Sequence, residues 1–166
     1  DNIYVLNSPI LSNSQFSKFN NFFKKKIKLI DCTFKKDESL DVVLERIRKD
    51  SEIAVRQGST QIVLSDKNIS NQRASIPSIV TVGAIHSHLV KHGLRGYCSL
   101  NVECSDAMDT HSFAILIGVG ATTVNSYLAI DSIYQRFEKK LFGKSDFETC
   151  VNKFKKSIDS GLLKIM

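Results

Sequence analysis

The stretch SLDVVLERIRKDSEIAVRQGSTQIVLSD, residues 39–66, decides the fold. Its first part places Leu40, Val43, Leu44, Ile47, Ala54 and Val55 at intervals that keep one helical face apolar. Gly58 is suited to end that helix, because glycine accepts the left-handed backbone of a helix terminus. TQIVLSD, residues 60–66, is then short, apolar and rich in β-formers, which predicts a buried strand. A helix, a glycine stop and a buried strand in direct succession is one repeat of an alternating α/β chain.

The same unit recurs on both sides. KIKLIDCTF, residues 26–34, predicts the first strand. After TQIVLSD comes a polar loop, KNISNQRAS, and then Pro77. Pro77 suits the first turn of a helix, where its missing N–H would have no partner. That helix carries Ile79, Val80, Val82, Ala84, Leu89 and Val90 and should stop near Gly93. CSLNVE, residues 98–103, and ATTVN, residues 121–125, predict the third and fourth strands. Between them a helix capped by Ser105 or Asp106 runs through HSFAILIGVG. Two helices close the chain: one ends near Gly143, and the other runs from a Ser145 or Asp146 cap to a stop at Gly161. The predicted order is β-α-β-α-β-α-β-α-α. Strands separated by helices pair in parallel through right-handed crossovers. Their apolar character predicts burial of both faces. The expected fold class is α/β: a parallel β-sheet of alternating βα units, resembling half of a (β/α)8 barrel. A chain of 166 residues fits a single domain, 1–166.

Composition narrows the functional classes. Apolar residues make up 42% and charged residues 24%, ordinary for a globular domain. No apolar run reaches membrane-spanning length, and DNIYVLNSPIL is not a signal peptide. The chain begins without Met, which points to processing or to excision from a longer chain. The +6 charge peaks at FFKKKIK, residues 22–28, but the other lysines are scattered among acids. That pattern argues against nucleic-acid binding. Cys32, Cys98, Cys104 and Cys150 form no C-x-x-C pair and read as buried free thiols. The abundance of Lys, Asn, Ile and Ser is that of an AT-rich genome.

Two groups of residues could carry chemistry. His86, His88 and His92 crowd one helix. Residues 86 and 88 point apart, whereas His88 and His92 share a face. A zinc protease pattern needs Glu after the first His, and Leu89 stands there. With no third ligand evident, no metal site is assigned. The second group is Asp66, Glu103 and Asn125, each at the C-terminal end of a predicted parallel strand, where α/β folds bind ligands. Asp31 joins them if its strand ends early. Acids so gathered could serve as acid and base, or pair with Lys67, Arg73 or Arg95. The glycine patterns fail their structural tests: G-x-G at Gly118 precedes a strand instead of following one. There is no nucleophile elbow.

Longer phrases carry a resemblance. LNSPIL, LIDCTF, IVLSDK, SIPSIVTVGAIHSHLVKHGLR, LNVECSDAMDTHSFAILIGVGATTVNSYLA and GLLKIM occur in that order and cover nearly the whole chain. Together they resemble the central domain of glutamate synthase. The resemblance implies a multidomain oxidoreductase that makes glutamate from glutamine and 2-oxoglutarate in ammonia assimilation. An amidotransferase domain with an N-terminal cysteine would release ammonia. A flavin domain with FMN and a 3Fe-4S cluster would use it, with reduced ferredoxin favoured over NAD(P)H as donor. The central domain would link them and help form the ammonia passage. His86, His88 and His111 match histidines of the family pattern, and Asp66, Glu103 and Asn125 match its strand-end polar positions. Asp66, Glu103, Asn125 and His111 are therefore candidate interdomain or ammonia-passage residues. Ser87, His92 and Ser126 depart from the pattern, which has His, an acid and Pro there. The resemblance places no catalytic or cofactor-binding residue in this stretch: the chain starts with Asp1, not the nucleophilic cysteine, and no closely spaced cysteines occur. It implies flanking amidotransferase and FMN domains as partners, with no nucleic acid and no membrane. Taken with the composition, it points to a plastid, in the chloroplast stroma, or else to the cytoplasm. The alternative is a stand-alone α/β ligand-binding or enzymatic domain using the strand-end acids.

Overall fold

A computed structural model describes residues 4–165; Asp1 and Met166, noted above as chain ends, lie outside the described residues. In chain order the elements are α1 (Asn13–Phe22), β1 (Ile27–Asp31), β2 (Thr33–Lys35), α2 (Leu40–Arg56), β3 (Gln61–Ser65), β4 (Arg73–Ser75) and α3 (Ser78–Lys91). They continue with β5 (Ser99–Cys104), α4 (Thr110–Gly118), β6 (Thr123–Ser126), α5 (Tyr127–Glu138) and α6 (Phe147–Ile165). The main sheet has strand order β1-β3-β5-β6, and every pairing is parallel. Neighbours in space are thus neighbours in sequence, as in consecutive strands of a (β/α)8 barrel. The α/β class and the parallel βα repeat are as the sequence predicts.

Side chains alternate across each strand, and the two faces of this sheet differ. Ile30, Ile62, Leu64, Leu100, Val102 and Val124 pack on one face against α2, α3, α4 and α6. Each fully buried side chain of this size contributes about 1.5–3 kcal/mol, so this face holds the fold together. Apolar character on both faces was expected, but the other face is largely polar. There Asn101 donates to Gln61 Oε1 (3.0 Å) and Thr123 Oγ1 donates to Asn101 Oδ1 (2.8 Å). On the same face Leu29 is exposed, Ile27 is partly buried, and Val63 continues the apolar pattern in a cluster with Leu11, Phe16 and Phe19.

The last two come from α1, a helix the sequence reading passed over. Its signal is present: Ser12 and Gln15 form a capping box, each side chain bonding the other's backbone N–H. Just before it, Pro9–Leu11 lies along β6, with Leu11 N–H on Val124 O and Val124 N–H on Pro9 O. This segment covers the β6 edge, which would otherwise expose unpaired backbone groups, and α1 covers part of the polar face.

Several boundaries differ from expectation. The first predicted strand is two, broken at Cys32. Asp31 Oδ1 accepts from both the N–H and the hydroxyl of Thr33, bending the chain. β2 then pairs antiparallel with β4, which lies in the segment expected to be loop. Pro77 stands just outside α3 as its N-cap, with ψ 131°. The buried face of α3 is Ser78, Thr81, Val82, Ile85 and Leu89, while Ile79, Val80 and Val90 are exposed. Asp109, rather than Ser105 or Asp106, caps α4. Asp106 instead accepts the N–H of Ser78 and so caps α3 from a distance. α5 ends at Glu138, before Gly143. Asp146 caps α6 as expected, but the helix passes through Gly161. A Cβ at Gly161 would lie 2.4 Å from Thr110 Cγ2, so this glycine allows α6 to approach α4.

Candidate functional site

The parallel register brings the C-terminal strand residues into one row. Asp31 lies opposite Ser65, Ser65 opposite Glu103, and Glu103 opposite Asn125. All four therefore share the polar face. Glu103 is only 7% exposed. Ser65 Oγ donates to its Oε2 (2.6 Å), and Lys67 Nζ pairs with its Oε1 (2.8 Å). Asn125, fully buried, donates from Nδ2 to Leu11 O and to Asn13 Oδ1, both at 3.0 Å. The N-terminal segment is thus fastened to the row by side-chain hydrogen bonds as well as by backbone.

Between α1 and this row lies a cleft of about 230 Å³. Asn13, Phe16, Ser17, Asn20, Asn21, Lys67, Glu103 and Asn125 line it. Glu103 and Asn125 thus belong to one site. Asp66 sits beside it, turned toward the next loop: its Oδ2 accepts from the Ser105 N–H (2.9 Å) and hydroxyl (2.7 Å). Its Oδ1 is buried and finds no hydrogen-bond partner among the described residues. Tyr127, at the start of α5, has Lys67 Nζ 5.3 Å from its ring centre, a cation–π contact. Burial first, and then the Asp66 charge, push the Tyr127 phenol well above its ordinary range and keep it protonated. His111 does not join the site; it is exposed in the first turn of α4.

Asp31 belongs to a neighbouring network. Arg73 pairs with Asp31 Oδ2 (3.2 Å) and Asn68 donates to the same oxygen (3.0 Å). Partial burial raises the Asp31 pKa, but the hydrogen bonds from Thr33 and Asn68 and the Arg73 charge outweigh it, so the carboxyl titrates below its usual range. Ser65, Tyr127 and the α1 asparagines are the residues that sequence reasoning did not place in the site, whereas Lys67 was named as a partner for the strand-end acids and pairs with Glu103. The β3 signal marked Ser65 as a strand residue, but nothing local showed which face it takes.

The row is not a hydrolytic set. Ser65 has a carboxylate partner, but the other oxygen of that carboxylate is held by Lys67, and among the described residues no histidine is hydrogen-bonded to Ser65. The cysteines do not fit an iron–sulfur cluster either. Cys32, Cys98, Cys104 and Cys150 are all buried, and no three cysteines gather among the described residues. Burial pushes the Cys32 and Cys104 thiols up to about 12, far from the thiolate a cluster requires.

The histidines resolve differently from expectation. His86 accepts from Arg95 Nε (3.2 Å). Arg95 also donates to Cys98 O (2.6 Å) and Gly120 O (2.8 Å). A Cβ at Gly120 would lie 2.3 Å from His86 Nδ1, so His86 packs directly on that glycine, whose φ is +120°. This is a structural clamp. His88 and His92 do share a face, and α2 brings a third donor, Glu52, beside them. Local spacing made no third ligand evident; Glu52 lies on another helix, beyond the reach of that spacing.

Comparison with known proteins settles the family. The family model described as the glutamate synthase central domain matches residues 1–166. The chain belongs to the glutamate synthase central domain family. It is 45% identical over 97% of its length to the "Glutamate synthase [NADPH] large chain" of Azospirillum brasilense. Identity is 37% to the protein of the same description in Bacillus subtilis, and 35% to "Ferredoxin-dependent glutamate synthase, chloroplastic" of Oryza sativa. This central domain spans 11%, 10% and 11% of those relatives, about a tenth of each. A solved structure titled as a putative fructose-1,6-biphosphate aldolase from Coccidioides immitis covers 84% of this chain, and 56% of that chain is covered, at 13% identity and TM-score 0.39. That likeness is too distant to carry an argument. No described helix is long and apolar enough to cross a membrane.

Proposed function

We propose that this central domain acts within a glutamate synthase, linking an amidotransferase domain to an FMN domain and forming part of the wall of the ammonia passage. The supporting observation is the cleft at the C-terminal edge, lined by Glu103, Asn125 and Lys67 and roofed by α1. Its lining offers hydrogen-bond acceptors and donors on a buried polar face. Neutral ammonia both donates and accepts, so such a lining can pass it along. A passage of this kind also keeps ammonia from protonation in bulk water, which would destroy its nucleophilicity. Asp66 has a free buried acceptor oxygen beside the cleft and fits the same role. His111, exposed on α4, is proposed as a contact to a flanking domain. The FMN and 3Fe-4S cluster of such an enzyme would sit outside this stretch, whose cysteines do not fit a cluster.

On electron donor, ferredoxin has the chloroplastic relatives behind it, and with it the proposed plastid location. A second reading, NADPH in a bacterial type of enzyme, is favoured by the 45% identity to a relative named for that donor. Assay of the full-length enzyme with each donor separates the two. The passage is tested by Glu103→Ala in the full-length enzyme. Glutamine-dependent glutamate synthesis should fall while glutaminase activity and ammonia-dependent synthesis persist. Equal loss of all three would show misfolding and remove the support.

A further inference from the structure

We propose that Glu52, His88 and His92 form a binding site for one zinc-type transition-metal dication, clasping α2 to the end of α3. One ligand atom from each of the three residues lies within 4.8 Å of the others. Metal–donor bonds of ~2.0–2.1 Å in tetrahedral geometry require donors about 3.3 Å apart. The observed separations bracket that value: His88 Nε2 to Glu52 Oε2 is 2.7 Å, and His92 Nε2 to the same oxygen is 3.9 Å. The two rings sit 4.2 Å apart, centre to centre. Small side-chain rotations bring all three donors onto one ion.

The surrounding bonds already hold the donors in place. His92 Nδ1–H donates to His88 O (2.8 Å), which fixes the tautomer that leaves Nε2 as a free lone pair. A second nitrogen tied to a backbone carbonyl is the usual support of a metal-bound histidine. Arg56 Nε donates to Glu52 Oε1 (2.8 Å), which orients the carboxylate and leaves Oε2 for the ion. The one proton in the way is that on His88 Nε2, bonded to Glu52 Oε2; binding the ion requires the other neutral tautomer, with the proton carried on Nδ1 and the Nε2 lone pair freed. Two imidazoles and a carboxylate suit zinc better than magnesium or calcium, which prefer oxygen.

The place in the fold argues for a structural ion. Glu52 lies near the end of α2, and the histidines near the end of α3. Helices that follow parallel strands run back toward the N-terminal edge of the sheet. The triad is thus at the opposite end of the domain from the cleft, where α/β barrels place stability rather than chemistry.

The test is equilibrium dialysis of the full-length protein against buffered free Zn²⁺, with bound zinc measured by elemental analysis. The wild type should bind one more zinc per chain than the Glu52→Gln/His92→Gln double variant. Each single variant should weaken that site at least tenfold, and Mg²⁺ should not compete. His92 is partly exposed, so His92→Gln should fold normally, shown by unchanged melting in chelator. Equal zinc content in wild type and double variant overturns the proposal. So does a Glu52→Gln protein with undiminished affinity, because the histidine pair alone would then be binding.

Discussion

The two faces of the parallel sheet are made by the same strands and do different work. On one face Ile62, Leu100 and Val124 are fully buried in a continuous apolar core. On the other, Asn101, Glu103 and Asn125 are also buried, yet each is held by named polar partners. Burying such groups costs about 1–3 kcal/mol apiece when a partner is missing. A sheet that needed only stability would carry valine there. The contrast teaches that the apolar face carries the core, while the polar face is held by hydrogen bonds and lends Glu103 and Asn125 to the cleft.

The largest expected effect comes from the core that packs on the apolar face. Phe113→Ala removes a fully buried ring from the core and should destabilise by about 3–5 kcal/mol. Urea unfolding measures it, and a loss under 1 kcal/mol would contradict the division between the faces. Asn101→Ala on the polar face strands Thr123 Oγ1 and Gln61 Oε1. It should cost less, about 1–3 kcal/mol, in the same unfolding experiment. Glu103→Gln keeps an acceptor for Ser65 and loses an ion pair to a half-exposed lysine. Its stability cost should be about 1 kcal/mol or less, while on the proposed passage role glutamine-dependent synthesis by the full-length enzyme drops more than that cost explains. A melting curve and a coupled assay on one sample decide between those outcomes.

The smallest effect is in acid. The folded pKa of Asp31 lies below its ordinary value of 3.8. Its stabilising contribution is therefore present above that pH and is lost as pH falls through the folded pKa. Asp31→Asn should lose a small increment of stability at neutral pH, and its difference from the wild type should vanish as pH falls below about 4, which flattens the acid limb. An acid limb as steep as in the wild type would mean that Arg73 and Asn68 contribute nothing there.

Local sequence determined the order of the main-sheet strands and of the helices that follow them. The apolar spacing of α2, the β-rich runs of β3, β5 and β6, and the Asp146 cap are all set within a few residues, where propensity and periodicity act. That was enough to name the α/β class, the parallel pairing and the strand-end positions of Asp66, Glu103 and Asn125. The long matching phrases also carried the family. Which residues meet was decided only by tertiary structure. Lys67 reaches Glu103, α1 folds over the polar face, Asp106 caps a helix 28 residues earlier, and Glu52 arrives beside His88 across 36 residues. None of these contacts leaves a periodic trace. Each depends on the sheet's register and on how helices cross it, and those follow from the packing of the whole core rather than from any one segment.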